Sequence, residues 1–428
     1  MSKAPSFPTI TTEIAGVPVT DLAKRFGTPV YVYDAAKIVE RIEDLRAFDV
    51  IRYAQKACSN LAILDLVRRC GAAVDTVSTN EIRRALAAGF QPHGNPPPIV
   101  YTADIFDRES LQVVIDHDIH VNVGSPDMID QYGEVAPGRN ITMRINPGFG
   151  HGHSEKTNTG GDHSKHGIWH EQLDDCLRRA DQWGLGVTGL HMHIGSGTDL
   201  DHLKDVCVAM EKAALTAGRT ITTISAGGGL PIPYEEDESY IDLTEYFRLW
   251  DETRKRLEGE FGHEVTLEIE PGRYVSAESG YLIAEIRAVK RQGDNLFYLV
   301  DGGFNNLARP ILYGAYHPIA IAPADGDTAR PLEEVAIGGP LCESGDIFTQ
   351  EEGGYVSKRS LPVAGVGDYL VIQCAGAYGS VMGSNYNSKP MCAEVLVRDE
   401  QTHLIRARQT FEDLVRNEAI PSVVAATE

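Results

Sequence analysis

One pattern repeats between about residue 50 and residue 272, and it constrains the fold more than any other feature of this chain. A short apolar, β-branched run is followed by a polar turn and then by a helical pattern. The apolar runs cover residues 50–53, 73–77, 99–102, 120–123, 141–145, 187–191, 222–225 and 265–269. Eight strands that alternate with helices over this length predict a closed parallel (β/α)8 barrel rather than an open doubly wound sheet.

Helix starts between the runs support this interpretation. Ser78 with Glu81 has the pattern of a capping box, and Gly89 follows where the helical pattern ends. Ser125 before Pro126 predicts an N-cap followed by proline at the first helical position.

The pattern changes after about residue 284 to strands and turns, so we predict three segments. Residues 34–283 form the barrel, 284–428 form a mainly β domain, and 1–33 join that domain's sheet through a short run near Pro29. The strands expected in the β domain cover residues 297–301, 335–342, 367–373 and 393–399.

Charge and cysteine content exclude several function classes. With 39 Lys+Arg and 61 Asp+Glu, the net charge of −22 argues against nucleic acid or an anionic membrane as the main partner. No window has the ~18 consecutive apolar residues of a membrane span, and the N-terminus lacks a secretory pattern. Seven scattered cysteines without a C-x-x-C pair favour reduced thiols, so we expect a cytoplasmic protein.

Polar residues follow four of the predicted strands, where a barrel of this type presents its chemistry. Lys56 follows the first strand in YAQKACSN. The sixth strand ends in HMHIGSG, with His191, His193 and Ser196; we expect only one of the two histidines to face the barrel mouth. Taken singly, a lysine here could be a surface residue and each histidine a hydrogen-bonded core residue.

The last two strands end in glycines and acids. SAGGGL places Gly228 and Gly229 where backbone can approach a phosphate closely, although a tight turn would explain the same glycines. EIEPGR supplies Glu268, Glu270 and Arg273, and two buried carboxylates need a proton or a cation, of which a pyridinium nitrogen is one kind.

Together these strand ends supply an amine, a flat imidazole, a glycine cradle and a carboxylate, the parts of a pyridoxal phosphate site. In this order they resemble the alanine-racemase-like (fold type III) pyridoxal-phosphate-dependent decarboxylases. The segments RPILYGAYH, GPLCESGD and GAYGSVMGSNYNSKP narrow the resemblance to the diaminopimelate decarboxylase family, over residues 20 to 415.

The resemblance implies a function and a set of site residues. It implies a carboxy-lyase that converts meso-2,6-diaminoheptanedioate (meso-diaminopimelate) to L-lysine and CO2, the last step of lysine biosynthesis. Lys56 matches the lysine that binds pyridoxal 5'-phosphate covalently, and His193 the histidine that stacks on its ring. The other residues that match or adjoin the family's cofactor contacts are Ser196, Gly228, Gly229, Glu270, Pro271, Gly272, Arg273 and Tyr378.

The family pattern also implies how the substrate is bound. Arg309 and Tyr313, with Arg273, match the groups for the distal carboxylate, Glu343 matches the group for the distal ammonium, and Tyr378 touches cofactor and substrate. Cys342 matches the proton donor. In this family Cys342 and Glu343 reach the partner subunit's site, so the resemblance implies a homodimer with shared active sites.

A loop with His151, His153, His163 and His166 invites a metal interpretation. A glycine-rich loop fixes no coordination geometry, so we expect no metal and favour a mobile lid over the barrel mouth.

Two other functions remain open at this point. The first is a related decarboxylase acting on carboxynorspermidine or a basic amino acid; Arg309 and Tyr313 argue against a substrate without a distal carboxylate. The second is a non-catalytic protein that binds pyridoxal phosphate or regulates a partner. The presence of Lys56, Glu270 and a C-terminal domain with Cys342 argues against it.

Overall fold

The computed structural model describes residues 5–150, 159–195 and 199–421. Contacts between residues divide the chain into two compact units. The barrel unit contains Ala35–Ser279 and Gly376–Val381, and the β unit contains Phe7–Asp34, Gly280–Ala375 and the chain from Met382 onward.

Strands and helices follow one another closely along the described chain. The strands are β1 Glu13–Ile14, β2 Val17–Pro18, β3 Val30–Asp34, β4 Val50–Ala54, β5 Ala73–Thr76, β6 Ile99–Ala103, β7 His120–Val123, β8 Asn140–Asn146, β9 Ile168–Trp169, β10 Gly186–His191, β11 Thr223–Ser225, β12 Thr266–Ile269, β13 Gly280–Gln292, β14 Asn295–Val300, β15 Ile319–Ala322, β16 Leu332–Gly338, β17 Arg359–Pro362, β18 Tyr369–Ile372, β19 Ala393–Arg398 and β20 Gln401–Arg406. The helices are α1 Val19–Phe26, α2 Ala35–Glu43, α3 Leu61–Arg69, α4 Thr79–Ala87, α5 Arg108–Asp116, α6 Pro126–Val135, α7 Leu173–Gln182, α8 Leu200–Ala217, α9 Leu243–Phe261, α10 Arg273–Ser276, α11 Arg309–Tyr313 and α12 Phe411–Val415.

The barrel unit is a closed parallel barrel, as the sequence predicts. Strands β4 to β8 pair in chain order, β8 pairs with β10, and β10, β11 and β12 continue the sheet. The last strand then pairs with the first, with Glu268 opposite Val50. All eight predicted runs are strands of this barrel, and the two-residue β9 extends it beside β8.

The predicted helix starts are at the right positions, but the bonding differs at both, since Glu81 does not complete the predicted capping box with the Ser78 N–H. Ser78 Oγ accepts a hydrogen bond from the Glu81 N–H at 3.3 Å, and the Glu81 carboxylate accepts from the Val77 N–H. Ser125 precedes α6 with Pro126 at the first helical position, but its side chain makes no capping bond. Among the described residues, no helix is both long and apolar enough to cross a membrane.

The β unit is built around β13. This strand pairs antiparallel with β3, β14 and β18, and β3 pairs in parallel with β19. Its core contains buried residues from six strands and from helix α1, among them Val32, Ile283, Val371 and Val395. The predicted strands correspond to β14, β16, β18 and β19, except that β16 ends at Gly338, so residues 339–342 form a turn.

Substitution by alanine should change the stability of the protein in opposite directions at two glycines that lie within helices. A Cβ at Gly133 in α6 would overlap the Trp183 ring, whereas one at Gly259 in α9 would meet no atom of the described residues within 4 Å. Gly133→Ala should therefore destabilise the protein by about 1–3 kcal/mol through overpacking. Gly259→Ala should stabilise it by about 0.5–1 kcal/mol, since alanine favours the helix. Thermal and urea unfolding of both variants provide the measurement, and equal shifts of the same sign would contradict it.

Candidate active site

A cavity at the C-terminal ends of the barrel strands, which we call the mouth cavity, brings together most of the predicted site. Its lining is drawn from the ends of strands that are far apart in sequence. The lining residues are Ala54, Lys56, Asp75, Val77, Thr102, Arg144, His191, His193, Gly228, Gly229, Leu230, Glu270, Gly272, Arg273 and Tyr378. All of them belong to the barrel unit.

Lys56 lies on a short 3₁₀ turn directly after β4. The turn is held on both sides, because the Ala54 N–H donates to the Pro271 carbonyl at 3.1 Å and the Ala57 carbonyl accepts from the Tyr378 N–H at 2.8 Å. The Lys56 side chain itself is exposed and lines the cavity. A fixed backbone thus carries an amine that is accessible to a ligand.

Glu270 is the buried acid of the cavity. His191 Nε2 lies 2.9 Å from Glu270 Oε2, and the Ser225 hydroxyl donates to Oε1 at 3.2 Å. Burial alone raises the pKa of Glu270, but the electrostatic attraction and contact of His191, with the charge of Arg52, outweigh it and hold the pKa below its usual value. Glu270 is therefore ionised at neutral pH.

Asp75 is a second buried acid that sequence reasoning missed. Burial, followed by the charge of Glu270, raises the pKa of Asp75 well above its usual value. Two neighbouring carboxylates in a low-dielectric site repel each other when both are ionised. The proton is therefore favoured on Asp75 and the negative charge on Glu270. Its sequence signal was a lone acid inside an apolar strand, in AAVDTV.

Arg144 was missed in the same way. It is buried within β8, in the run TMRIN, and it lines the cavity. Burial lowers the pKa of its guanidinium. A lone basic residue inside an apolar strand was the signal that could have identified it.

Both histidines line the mouth cavity, so the expectation that only one faces it is wrong. Residues two apart on an extended chain point to the same side, since strand side chains alternate with a period of two. Burial, followed by the charges of Arg144 and Lys56, lowers the pKa of His193 well below its usual value. The His193 ring is thus neutral, and its buried Nδ1 has no hydrogen-bond partner within the described part of the chain.

The glycine run packs against neighbouring strand ends. A Cβ at Gly227 would overlap the Met192 carbonyl, and one at Gly228 would lie 2.6 Å from the Glu270 carbonyl. The close approach at these two positions is therefore to protein backbone. Gly228 and Gly229 also line the cavity, whereas Ser196 lies outside the described residues.

Arg273 and Tyr378 form one side of the cavity. Arg273 Nη1 donates to the Tyr234 hydroxyl at 2.9 Å, and its guanidinium lies 5.3 Å from the centre of the Tyr378 ring. Tyr378 adopts a left-handed backbone conformation with φ of 55°, and its N–H is bound to the Ala57 carbonyl. Aromatic rings and the adjoining backbone thus orient a cation at the cavity edge.

A second cavity, the floor cavity, lies at the other end of the barrel. It has a volume of about 370 Å³ and is lined mainly by hydroxyl and amide side chains, together with Arg52, Glu268 and Glu270. Arg52 is 1% exposed, and its Nη2 lies 2.7 Å from Glu268 Oε1. The cation that balances Glu268 is therefore an arginine of the neighbouring strand β4.

Four predicted residues belong to the β unit, and the mouth cavity is formed without them. Arg309 is buried at the start of α11, and its Nη1 lies 2.8 Å from His317 Nε2. Tyr313 is half-buried at the end of that helix. Cys342 and Glu343 are exposed in the turn after β16, where the Cys342 N–H donates to Asn387 Oδ1 at 2.8 Å.

The histidine-rich loop is described only in part. His151 and His153 lie outside the described residues. His166 Nδ1 lies 2.6 Å from Asp104 Oδ2, and His163 is exposed. In the described ranges, no group of three or more His, Cys, Asp or Glu side chains is placed to hold a metal ion. The lid over the barrel mouth stays a prediction.

The donor set of the mouth cavity fits pyridoxal phosphate. An accessible amine can bind an aldehyde, and an ionised buried carboxylate suits a protonated ring nitrogen. The neutral imidazole of His193 offers a flat surface, and glycine backbone lines the same space. The residues present therefore satisfy the electrostatic requirements of this cofactor.

Comparison with known proteins gives the same assignment. Residues 35–277 match the family described as "Pyridoxal-dependent decarboxylase, pyridoxal binding domain". The diaminopimelate decarboxylase of Streptomyces coelicolor is 54% identical over 93% of this chain and 91% of its own, and that of Escherichia coli K12 is 50% identical over 96% and 98%. A crystal structure of diaminopimelate decarboxylase matches with a TM-score of 0.91 at 51% identity, covering 94% of this chain and 96% of its own.

Barrel, cavity and relatives together define a pyridoxal-phosphate-dependent decarboxylase of the alanine-racemase-like fold. Within that class, the chain belongs to the diaminopimelate decarboxylase family. Its cofactor is pyridoxal 5'-phosphate, and it converts meso-diaminopimelate to L-lysine and CO2, the last step of lysine biosynthesis. The alternatives of a different decarboxylase and of a non-catalytic binding protein are thereby set aside.

Removing the charge of one member of the buried Arg52–Glu268 pair should lower the free energy of unfolding strongly. Glu268→Gln leaves the Arg52 charge buried without its counter-ion and should cost about 3–5 kcal/mol. Asp201→Asn is the matched control, because it breaks an exposed pair with Lys204 and should leave the melting temperature unchanged. Thermal unfolding of both variants checks this, and equal melting temperatures would contradict it.

Proposed function

We propose that the mouth cavity is the catalytic site and that Lys56 holds the cofactor there. The observation that carries this proposal is the presence of Lys56, ionised Glu270 and neutral His193 around one cavity. Among the described residues that line it, Lys56 is the one lysine. The accessible position of Lys56 on a fixed turn suits a residue that must exchange partners during each turnover.

Glu270 is the residue we propose to set the rate. When bound, pyridoxal phosphate accepts the electron pair released as the bond between Cα and the carboxylate breaks. An ionised Glu270 holds a proton on the ring nitrogen and so strengthens that capacity. Protonated Asp75 leaves Glu270 as the charged acid of the cavity, which supports this division of roles.

The remaining cavity residues orient the cofactor. His193 presents a neutral ring for stacking. Backbone N–H groups hold the phosphate, and they come from Gly228, Gly229 and Gly272. Pro271 has no N–H and shapes the turn between Glu270 and Gly272. The Ser196 hydroxyl is a further donor. Arg273 and Tyr378 contact cofactor and substrate at the cavity edge, a role that their mutual contact supports.

Substrate selection and protonation are proposed for residues of the β unit, of which Cys342 and Glu343 act at the partner subunit's site. Arg309 and Tyr313 bind the distal carboxylate, with Arg273 contributing, and Glu343 pairs with the distal ammonium. Cys342 returns a proton to the D-configured centre after CO2 leaves. The exposure of Cys342 and Glu343 in the single chain supports their contribution across a homodimer interface.

A relative supports the binding of an amino acid at this site. The diaminopimelate decarboxylase of Helicobacter pylori, 31% identical with a TM-score of 0.83 over 93% of this chain and 98% of its own, was crystallised in complex with L-lysine. L-lysine keeps the carboxylate and ammonium that we assign to Arg309 and Glu343.

We also propose the predicted domain boundaries and a cytoplasmic location. Residues 1–33 and 284–428 act as one β domain, and 34–283 as the cofactor-binding barrel, with which residues 376–381 also group. All seven cysteines are free thiols, which supports a reducing compartment.

Two substitutions separate the roles of Lys56 and Glu270. Lys56→Ala should abolish the absorbance band of the lysine-bound cofactor near the visible edge, because no amine remains to bind the aldehyde. Glu270→Gln should keep a bound cofactor but lower kcat on the order of a hundredfold. Spectra and steady-state assays on diaminopimelate measure both, with Lys204→Ala as a surface control. An unchanged spectrum in Lys56→Ala would move the cofactor elsewhere.

A mixing experiment tests the shared active site. Lys56→Ala and Cys342→Ala should each be inactive alone. Mixed in equal amounts and allowed to exchange subunits, they should recover about a quarter of wild-type activity, since half of the dimers then contain one intact site of two. Sedimentation verifies the dimer. Absence of recovery after demonstrated exchange would place Cys342 in its own subunit's site.

A further inference from the structure

His317 makes a contact through each ring nitrogen, and the function assigned so far uses neither. Its Nε2 lies 2.8 Å from Arg309 Nη1, and its Nδ1 lies 3.1 Å from the Gln373 carbonyl oxygen. His317 is 3% exposed and Arg309 is 7% exposed. Both residues belong to the β unit.

The chemistry of the two partners determines the protonation state of His317. A guanidinium nitrogen can only donate, so Nε2 must accept and therefore carries no proton. A carbonyl oxygen can only accept, so Nδ1 must carry the proton and donate it. Both bonds are satisfied together only by the neutral imidazole protonated at Nδ1.

The Gln373 carbonyl is a fixed point of the sheet. The Gln373 N–H donates to the Pro318 carbonyl at 2.8 Å, directly beside the pairing of β15 with β18, where Ile319 lies opposite Ile372. The His317 ring therefore connects the sheet to the side chain at the start of α11.

We propose that His317 is the positioning residue for Arg309, which it orients toward the distal carboxylate of the substrate; this rests on the role proposed for Arg309. A neutral acceptor suits this task, because the contact fixes one Nη1–H without neutralising the guanidinium charge. A carboxylate in the place of His317 would compete with the substrate's carboxylate for that charge.

The proposal distinguishes ligands by their distal carboxylate. Arg309 orientation affects the affinity of diaminopimelate and L-lysine, which carry this group. It does not affect the affinity of 1,5-diaminopentane, which lacks it. The bond-breaking centre is at the other end of the substrate, so KM changes and kcat does not.

Three variants of the holoenzyme form the test. His317→Phe keeps a ring and removes both nitrogens, His317→Gln can place an acceptor at the Nε2 position, and His317→Asn can keep only the donor to Gln373. His317→Phe and His317→Asn should raise KM for diaminopimelate about tenfold with kcat within about twofold, and His317→Gln should stay within about threefold of wild type. His403→Gln, an exposed histidine of the same unit, is the matched control.

Calorimetry gives a readout independent of turnover. The Kd of L-lysine should rise about tenfold in His317→Asn, and the Kd of 1,5-diaminopentane should stay unchanged. Adding His317→Asn to Arg309→Gln should produce no further rise in the Kd of L-lysine, because residues that act through one contact are not additive.

The outcomes separate this inference from the proposed function. If Arg309→Gln leaves the Kd of L-lysine unchanged, the role proposed for Arg309 is wrong. If Arg309→Gln weakens the binding of L-lysine but His317→Asn does not, His317 does not position Arg309. The same conclusion holds if His317→Asn weakens the binding of L-lysine and of 1,5-diaminopentane equally. If His317→Phe fails to fold, the comparison of His317→Gln with His317→Asn decides, and equal affinities in those two overturn the proposal.

Discussion

The parallel pairing of β12 with β4 is the interaction on which the site depends. It closes the barrel and brings the last strand beside the first, so Glu270 and Lys56, which follow those strands, line one cavity. The bond from the Ala54 N–H to the Pro271 carbonyl continues the pairing beyond both strand ends. Below it, Arg52 of β4 and Glu268 of β12 form a buried ion pair across the same seam. An open sheet of the same strands would leave amine and acid on opposite edges.

Electrostatics then assign different tasks to similar groups. Asp75, Glu268 and Glu270 are all buried acids, yet each is balanced differently. Asp75 keeps its proton, Glu268 is neutralised by Arg52, and Glu270 remains charged beside His191. Only the third can attract a cationic ring nitrogen. The neutral state of His193 follows from the same field, because burial and the charges of Arg144 and Lys56 oppose a further positive charge.

Much of this arrangement could be predicted from the sequence. Apolar, β-branched runs identified all eight barrel strands, and the rule that chemistry follows such strands identified Lys56, His193, Gly229 and Glu270. Asp75 and Arg144 were missed because a single charge inside an apolar run does not reveal whether it faces the barrel interior. The partner of Glu268 could not be predicted, since Arg52 approaches it only when the barrel closes. Ser125 was at the predicted cap position, but backbone position alone does not fix the rotamer that makes the bond.

The position of β3 has a consequence for how the chain is made. This strand lies between β13 and β19 in the finished sheet, and both neighbours are encoded far downstream of it. During synthesis β3 leaves the ribosome before β13 and β19. Its backbone N–H and C=O groups therefore cannot pair with these strands until nearly the whole polypeptide has emerged. Such distant pairings carry a high entropic cost of loop closure and slow the final assembly. The apolar residues of β3, such as Val30 and Val32, are therefore buried in their final environment only once the downstream strands have been made.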